Sequence, residues 1–167
     1  VLFRSILRFY GPGGTDILES KAVQSFSFAE LTLAMDQQRT EPTPTATPQL
    51  QGDEVTERLD DEVDQPLTIA QSVWSALDEA DWIVFAPTGL DESGPAAFAL
   101  KRFLAEQANL LEARLAVLNY APPYELDSTE VSKLDLYYGL FSTGDSFVDV
   151  GARALFRDLV AAGDSPV

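Results

Sequence analysis

Residues 115–156, LAVLNYAPPYELDSTEVSKLDLYYGLFSTGDSFVDVGARALF, constrain the fold more tightly than any other part of the chain. They open on the apolar run Leu115-Ala-Val-Leu-Asn-Tyr120, closed by Pro122-Pro123, the pattern of a strand buried on both faces. A second run at residues 134–141 is rich in aromatic side chains and stops at Ser142-Thr-Gly-Asp145. Residues 146–159 then change to a helical period that puts Val148, Ala152, Leu155, Phe156 and Leu159 on one face. Ser146 is expected to cap that helix, with Asp149 at the capping-box position and an i,i+4 pair between Asp149 and Arg153. Strand, proline-marked crossover, strand and covering helix make the grammar of a parallel α/β sheet.

The upstream sequence extends this pattern. Residues 82–86 (WIVFA) form another short buried run, ended by Pro87-Thr-Gly89. The Thr68-Ile-Ala-Gln71 capping-box pattern opens a helix with Ala70, Val73, Trp74 and Leu77 on one face. Gly94-Pro95 opens another, striped by Ala97, Leu100, Phe103, Leu104, Ala108 and Leu111. Residues 2–10 (LFRSILRFY) and 22–28 read as two further strands, and 30–37 as a short helix carrying Leu31, Ala34 and Met35. The expected architecture is a single α/β domain over residues 1–167. It is a three-layer sandwich with a flavodoxin-like, doubly wound, mostly parallel sheet of about five strands. Residues 41–66 break the pattern, with four prolines and eight acids against the single base Arg58. Their composition is that of an acidic, Pro/Thr-rich flexible insertion.

The totals exclude several chemistries. The formal charge of −16 argues against nucleic acid or an anionic membrane as partner, since phosphate binding needs clustered Lys and Arg. No apolar run approaches the roughly 20 residues that span a bilayer. The chain has neither Cys nor His, which removes thiolate nucleophiles, disulfides, Ser-His-Asp triads and the commonest metal ligands. No cofactor and no metal are expected. The start at Val1 and the abrupt end at Pro166-Val167 suggest a piece cut from a longer polypeptide, so any export signal would lie upstream and the compartment stays open.

In a doubly wound sheet, ligands gather outside the carboxyl ends of the strands. Four loops are expected there: residues 11–16, 87–95, 121–127 and 142–145. Gly11-Pro-Gly-Gly-Thr-Asp16 superficially resembles a phosphate loop but matches no nucleotide fingerprint, and Pro12 deletes a backbone donor. A phospho-acceptor receiver site would need acids where Phe9-Tyr10-Gly11 and Phe85-Ala86-Pro87 stand. Asp91-Glu92 is the adjacent carboxylate pair on the candidate rim. A carboxyl group there would serve as general acid if burial raised its pKa, or simply sit in solvent before a helix N-terminus. Tyr120, Tyr124, Tyr137 and Tyr138 would line a sugar platform or belong to the core or a domain interface, and the Asn119 amide at the strand end would be structural or point toward a ligand.

Asn119-Tyr-Ala-Pro-Pro-Tyr-Glu-Leu-Asp127, the stretch 129–142 and Phe147-Val-Asp-Val-Gly-Ala-Arg-Ala-Leu-Phe156 together carry a family resemblance. They resemble the C-terminal domain of bacterial family 3 glycoside hydrolases, in the β-N-acetylhexosaminidase or β-glucosidase-like branch. The terminal Gly163-Asp-Ser-Pro-Val167 resembles that family's exit from the domain. The resemblance implies an N-terminal (β/α)8 barrel in the same polypeptide, carrying the nucleophilic Asp, with a carbohydrate substrate bound only in the full-length protein. It further implies a retaining mechanism with two catalytic groups. In the glucosidase branch the acid/base is a Glu of this domain, for which Glu92 is the candidate, with Asp91, Asn119, Tyr120 and Tyr124 on the substrate rim. The Glu-Gly-x-Asp-Arg context expected there is replaced by Glu92-Ser-Gly-Pro-Ala96, which favours the branch whose acid/base lies on the barrel. The isolated chain is then a scaffold without catalytic residues. The alternatives are a flavodoxin-like small-ligand module, using flavin or nucleotide phosphate at residues 11–16, and a protein-interaction module without catalytic activity.

Overall fold

The computed structural model describes residues 2–40, 68–89, 94–121 and 126–159. Within them lie helices α1 (Leu2–Tyr10), α2 (Phe28–Thr40) and α3 (Ile69–Asp78), strand β1 (Trp82–Phe85) and helix α4 (Pro95–Glu106). Strand β2 (Arg114–Asn119), the short helix α5 (Ser128–Val131), strand β3 (Leu136–Gly139) and helix α6 (Asp145–Leu155) follow. The expected insertion at 41–66 lies outside the described residues.

The three strands form one parallel sheet in the order β1-β2-β3. Val84 pairs with Ala116, and Ala116 in turn with Leu136. The chain is therefore α/β, with three parallel strands among the described residues rather than about five. Asp135 fixes the start of this register from both its ends: its backbone N–H donates to the Leu115 carbonyl at 2.8 Å, and its carboxylate accepts from the Leu115 N–H at 2.9 Å. β2 is central and buried from Leu115 onward, which is why it reads as an unbroken apolar run.

Alternation along the strands separates two cores. Ile83, Phe85, Leu115 and Val117 face α2, α3 and α4, forming the larger cluster with Met35, Val73, Leu100 and Phe103. The Phe103 ring meets Phe85 edge-on at 5.1 Å. Leu118 and Tyr120 point the other way and join Val148 of α6, with Leu2, Val84, Ala86, Tyr138 and Leu140 packed around them. Helices thus cover both faces of the sheet.

Two expected strands are not strands. Residues 2–10 are the helix α1, because their apolar side chains recur every four residues rather than every two. Ile6 and Tyr10 are buried on one side, while Arg4 and Arg8 stand exposed on another. Residues 22–28 are not a strand either: a 3₁₀ turn at Ser20–Ala22 is followed by irregular chain to Ser27, and Phe28 opens α2. From Ala22 to Ser27 every side chain is exposed or half-buried, and no strand among the described residues pairs with them.

The helix starts agree better. Thr68 caps α3 with the expected box, its hydroxyl accepting from Gln71 N–H while Gln71 accepts from Thr68 N–H. Pro95 occupies the first turn of α4. α6 begins earlier than expected, with Gly144 rather than Ser146 at its N-cap and no side chain capping it. Asp149 therefore sits beyond the first turn and reaches across to α1 instead of closing a capping box. A further box, Asp127 with Glu130, starts α5.

Candidate functional site

The carboxyl end of the sheet is built around Asn119, the last residue of β2, which is fully buried. Its amide donates to the Tyr137 hydroxyl at 3.2 Å, and its side-chain oxygen accepts from Ala121 N–H at 3.0 Å. Its backbone carbonyl accepts from Leu140 N–H at 2.7 Å. These bonds make Asn119 a stitch joining the end of β2 to β3 and to its own turn. Tyr120 is also buried, and its N–H donates to the Pro87 carbonyl at 3.1 Å, tying the β1 exit to the β2 exit. The Tyr120 hydroxyl faces α6: a Cβ added at Gly151 would lie 2.9 Å from it. Among the described residues that buried hydroxyl has no hydrogen-bond partner, and burial pushes its pKa up to about 12.

Asn119 and Tyr120 thus come together at the expected rim, but both are enclosed. Asp91, Glu92 and Tyr124, the remaining rim and acid/base candidates, lie outside the described residues. Tyr137 and Tyr138 are half-buried on opposite faces of β3, one with each core.

The loop 11–16 is placed elsewhere. It follows a helix, not a strand, and α1 runs parallel to α6, with Ser5 against Asp149 and Tyr10 against Phe156 and Asp158. The loop therefore sits near the C-terminal end of α6, away from the carboxyl rim of the sheet. Its glycines turn the chain back over α1. Gly11 N–H donates to Leu7, Gly14 N–H to Gly11 and Thr15 N–H to Phe9. A Cβ at Gly14 would lie 2.4 Å from the Phe9 carbonyl oxygen, so only glycine fits this wrap. Gly13 N–H is taken by the Asp16 carboxylate at 3.1 Å. The donors that would cradle a phosphate already serve the helix cap.

Concavities occur elsewhere among the described residues, and two of them carry charged linings. One, of about 180 Å³, lies at the start of α6 and is lined by Arg4, Ser5, Arg8, Asp145 and Asp149. Here the Ser5 hydroxyl donates to Asp149 at 2.9 Å and Arg8 pairs with the other carboxylate oxygen at 2.5 Å. The Ser5 hydrogen bond, followed by the Arg8 guanidinium, holds Asp149 below the usual carboxylate range. The other, of about 600 Å³, lies at the amino ends of β1 and β2, with Asp78, Asp81, Glu112 and the half-exposed Trp82 in its wall. Arg114 lies over the Trp82 ring, 5.5 Å from its centroid. Sequence reading did not anticipate either place. The i,i+4 spacing of Arg4 and Arg8 was the available signal for the first, and the second arises only when β1 and β2 pair.

No group of three or more metal-ligating side chains occurs among the described residues, and none of their helices is long and apolar enough to cross a membrane. Compared with protein-family models, with curated proteins and with solved structures, the chain matches none.

Proposed function

We propose that this chain is an accessory α/β domain of a family 3-like glycoside hydrolase, packing on a (β/α)8 barrel of the same polypeptide and shaping the rim of its active site. The full-length enzyme would hydrolyse β-glycosides, either N-acetylhexosaminides or glucosides. One observation supports this reading most: among the described residues, the three motifs that carry the resemblance fall in chain order at the end of β2 and on α5, β3 and α6. They lie on consecutive elements of the described α/β fold rather than on unrelated ones. In this reading the complete sheet is flavodoxin-like, and two more strands would join the three described here.

The chemistry is consistent with a scaffold. Asn119 and Tyr120 are built into the domain, and neither presents a free polar group to solvent at the rim. Catalysis then rests on the barrel, which supplies the nucleophilic Asp and, in the hexosaminidase-type branch, the acid/base as well.

The test compares the parent polypeptide with the isolated 167-residue chain on aryl β-glycosides. Turnover by the parent alone is the expected outcome. Turnover by the isolated chain, or a parent reading frame that encodes no barrel, overturns the proposal. Glu92→Gln in the parent then separates the branches: an acid/base role costs about 100-fold or more in kcat/KM, and a scaffold position costs little.

A second reading, a protein-interaction module, is favoured by the exposed Phe141, Phe147 and Val150, which lie along the segment from the end of β3 into α6. Capture of a defined partner lost on Phe147→Ser would select it.

A further inference from the structure

The two faces of the sheet are closed in unequal ways. On the larger side α4 buries Ala97, Ala99, Leu100, Phe103 and Leu104 completely, and Arg102 ties it to Asp36 of α2. On the other side the second core is small, and α1 is the outermost element over it. α1 buries Ser5, Ile6 and Tyr10 and lends Leu2 to that core, while its main neighbour is α6.

α1 is held to α6 and to the turn after it by three polar bonds and one aromatic stack beside the buried Ile6. Ser5 and Arg8 take the two oxygens of Asp149, and the Tyr10 hydroxyl donates to Asp158 at 2.5 Å. The Tyr10 ring stacks on Phe156 at 4.0 Å. Three of these four contacts end on two carboxylates, and Arg8 is 60% exposed, so its pair is open to screening by salt. Behind α1, residues 11–27 are irregular and largely exposed, and extended they reach on the order of 50 Å. α1 can leave without pulling on α2.

We propose that α1 is a detachable strap, which lifts from α6 as one unit on the tether 11–27 while β1–β3 and α2–α4 stay folded. Release uncovers Phe156, the Asp149 carboxylate and the flank of the second core where Leu2 packs. The device differs from fraying, which opens a helix progressively from its end. A strap opens at once, so its amides share a single opening free energy.

Native-state hydrogen exchange on the intact chain tests this. The amides of Ile6 to Gly11 are expected to exchange together, with protection at least about 100-fold below the amides of α4. Asp149→Asn is expected to speed exchange in α1 by about 3- to 10-fold and leave α4 unchanged. Arg8→Gln, at an exposed position that does not endanger folding, acts in the same direction, as does 1 M salt. Equal opening free energies for α1 and α4 would overturn the proposal. So would graded exchange along α1, or an α1 indifferent to both substitutions.

Discussion

Gly151, in the middle of α6, offers a sharp test of how the second face is packed. In an exposed helix interior, Gly→Ala stabilises by about 1 kcal/mol, because alanine loses less backbone freedom on folding. Here an added Cβ would stand 2.8 Å from Leu140 Cδ1 and 2.9 Å from the Tyr120 hydroxyl oxygen. Both contacts are shorter than any Cβ tolerates. Leu140 is half-buried and can turn aside, whereas the Tyr120 hydroxyl is carried on a rigid, buried ring. Overpacking of this kind costs about 1–3 kcal/mol. Set against the propensity gain, Gly151→Ala should destabilise by about 1 kcal/mol. Tyr120→Phe removes the clashing oxygen and also a buried hydroxyl that has no partner among the described residues, so alone it should stabilise by about 1 kcal/mol. In the Tyr120→Phe background the alanine finds room, and the two changes should couple favourably by at least about 0.5 kcal/mol. Urea denaturation followed by the fluorescence of Trp74 and Trp82 gives all four corners of the cycle, with constant m as the check on two-state behaviour. If Gly151→Ala raises stability by about 1 kcal/mol, or if the effects simply add, α6 does not sit on Tyr120 as described.

Three more expectations follow from single groups. Tyr10 and Tyr120 are both pushed up to about 12, Tyr10 by burial and then by its bond to Asp158, Tyr120 by burial. The folded state thus keeps them neutral while the unfolded chain ionises near 10, so stability holds below pH 10 and falls as pH rises from about 10 to 12. Absorbance at about 295 nm should show tyrosines titrating well above the normal value of about 10, and a urea midpoint flat across that window would refute it. Asn119→Ala should cost about 2 kcal/mol, since it removes the bonds to the Tyr137 hydroxyl and Ala121 N–H and leaves a gap at a fully buried position; a loss under about 1 kcal/mol in urea would mean that these bonds contribute little. Thr68→Ala should cost about 1 kcal/mol and raise exchange at Gln71 N–H, and an unchanged exchange rate there would deny the capping box.

The sheet was legible where burial leaves one pattern. Leu115 to Leu118 are apolar on successive positions because both faces of β2 are covered, and Pro122-Pro123 closes the run at strand length. Thr68 and Gln71 announced a helix start because the box depends on side chains three residues apart. α5 carried the same signal in Asp127 and Glu130, although its single turn buries nothing and left no periodicity. α1 is ambiguous in sequence because nine mostly apolar residues satisfy a strand and a helix alike; the spacing of Ile6 from Tyr10 and Arg4 from Arg8 decides it. The rim was least legible. Asn119 has the residue type of a ligand-binding side chain, and only the approach of Tyr137 and Ala121 reveals its structural task. No local pattern could show that Asp149 would serve Ser5, which lies 144 positions away.

That separation has a consequence for how the chain is made. Ribosomes add about 5–20 residues per second, so α1 emerges roughly 7–30 s before the surface of α6 that receives it. Closing so long a loop also carries an entropy cost of about 4 kcal/mol, which only the finished chain can offset. During synthesis an amphipathic helix with Leu2, Ile6 and Tyr10 uncovered must wait while the opposite face of the sheet assembles. Vectorial synthesis therefore separates the making of α1 from its docking by the whole length of chain between Ser5 and Asp149.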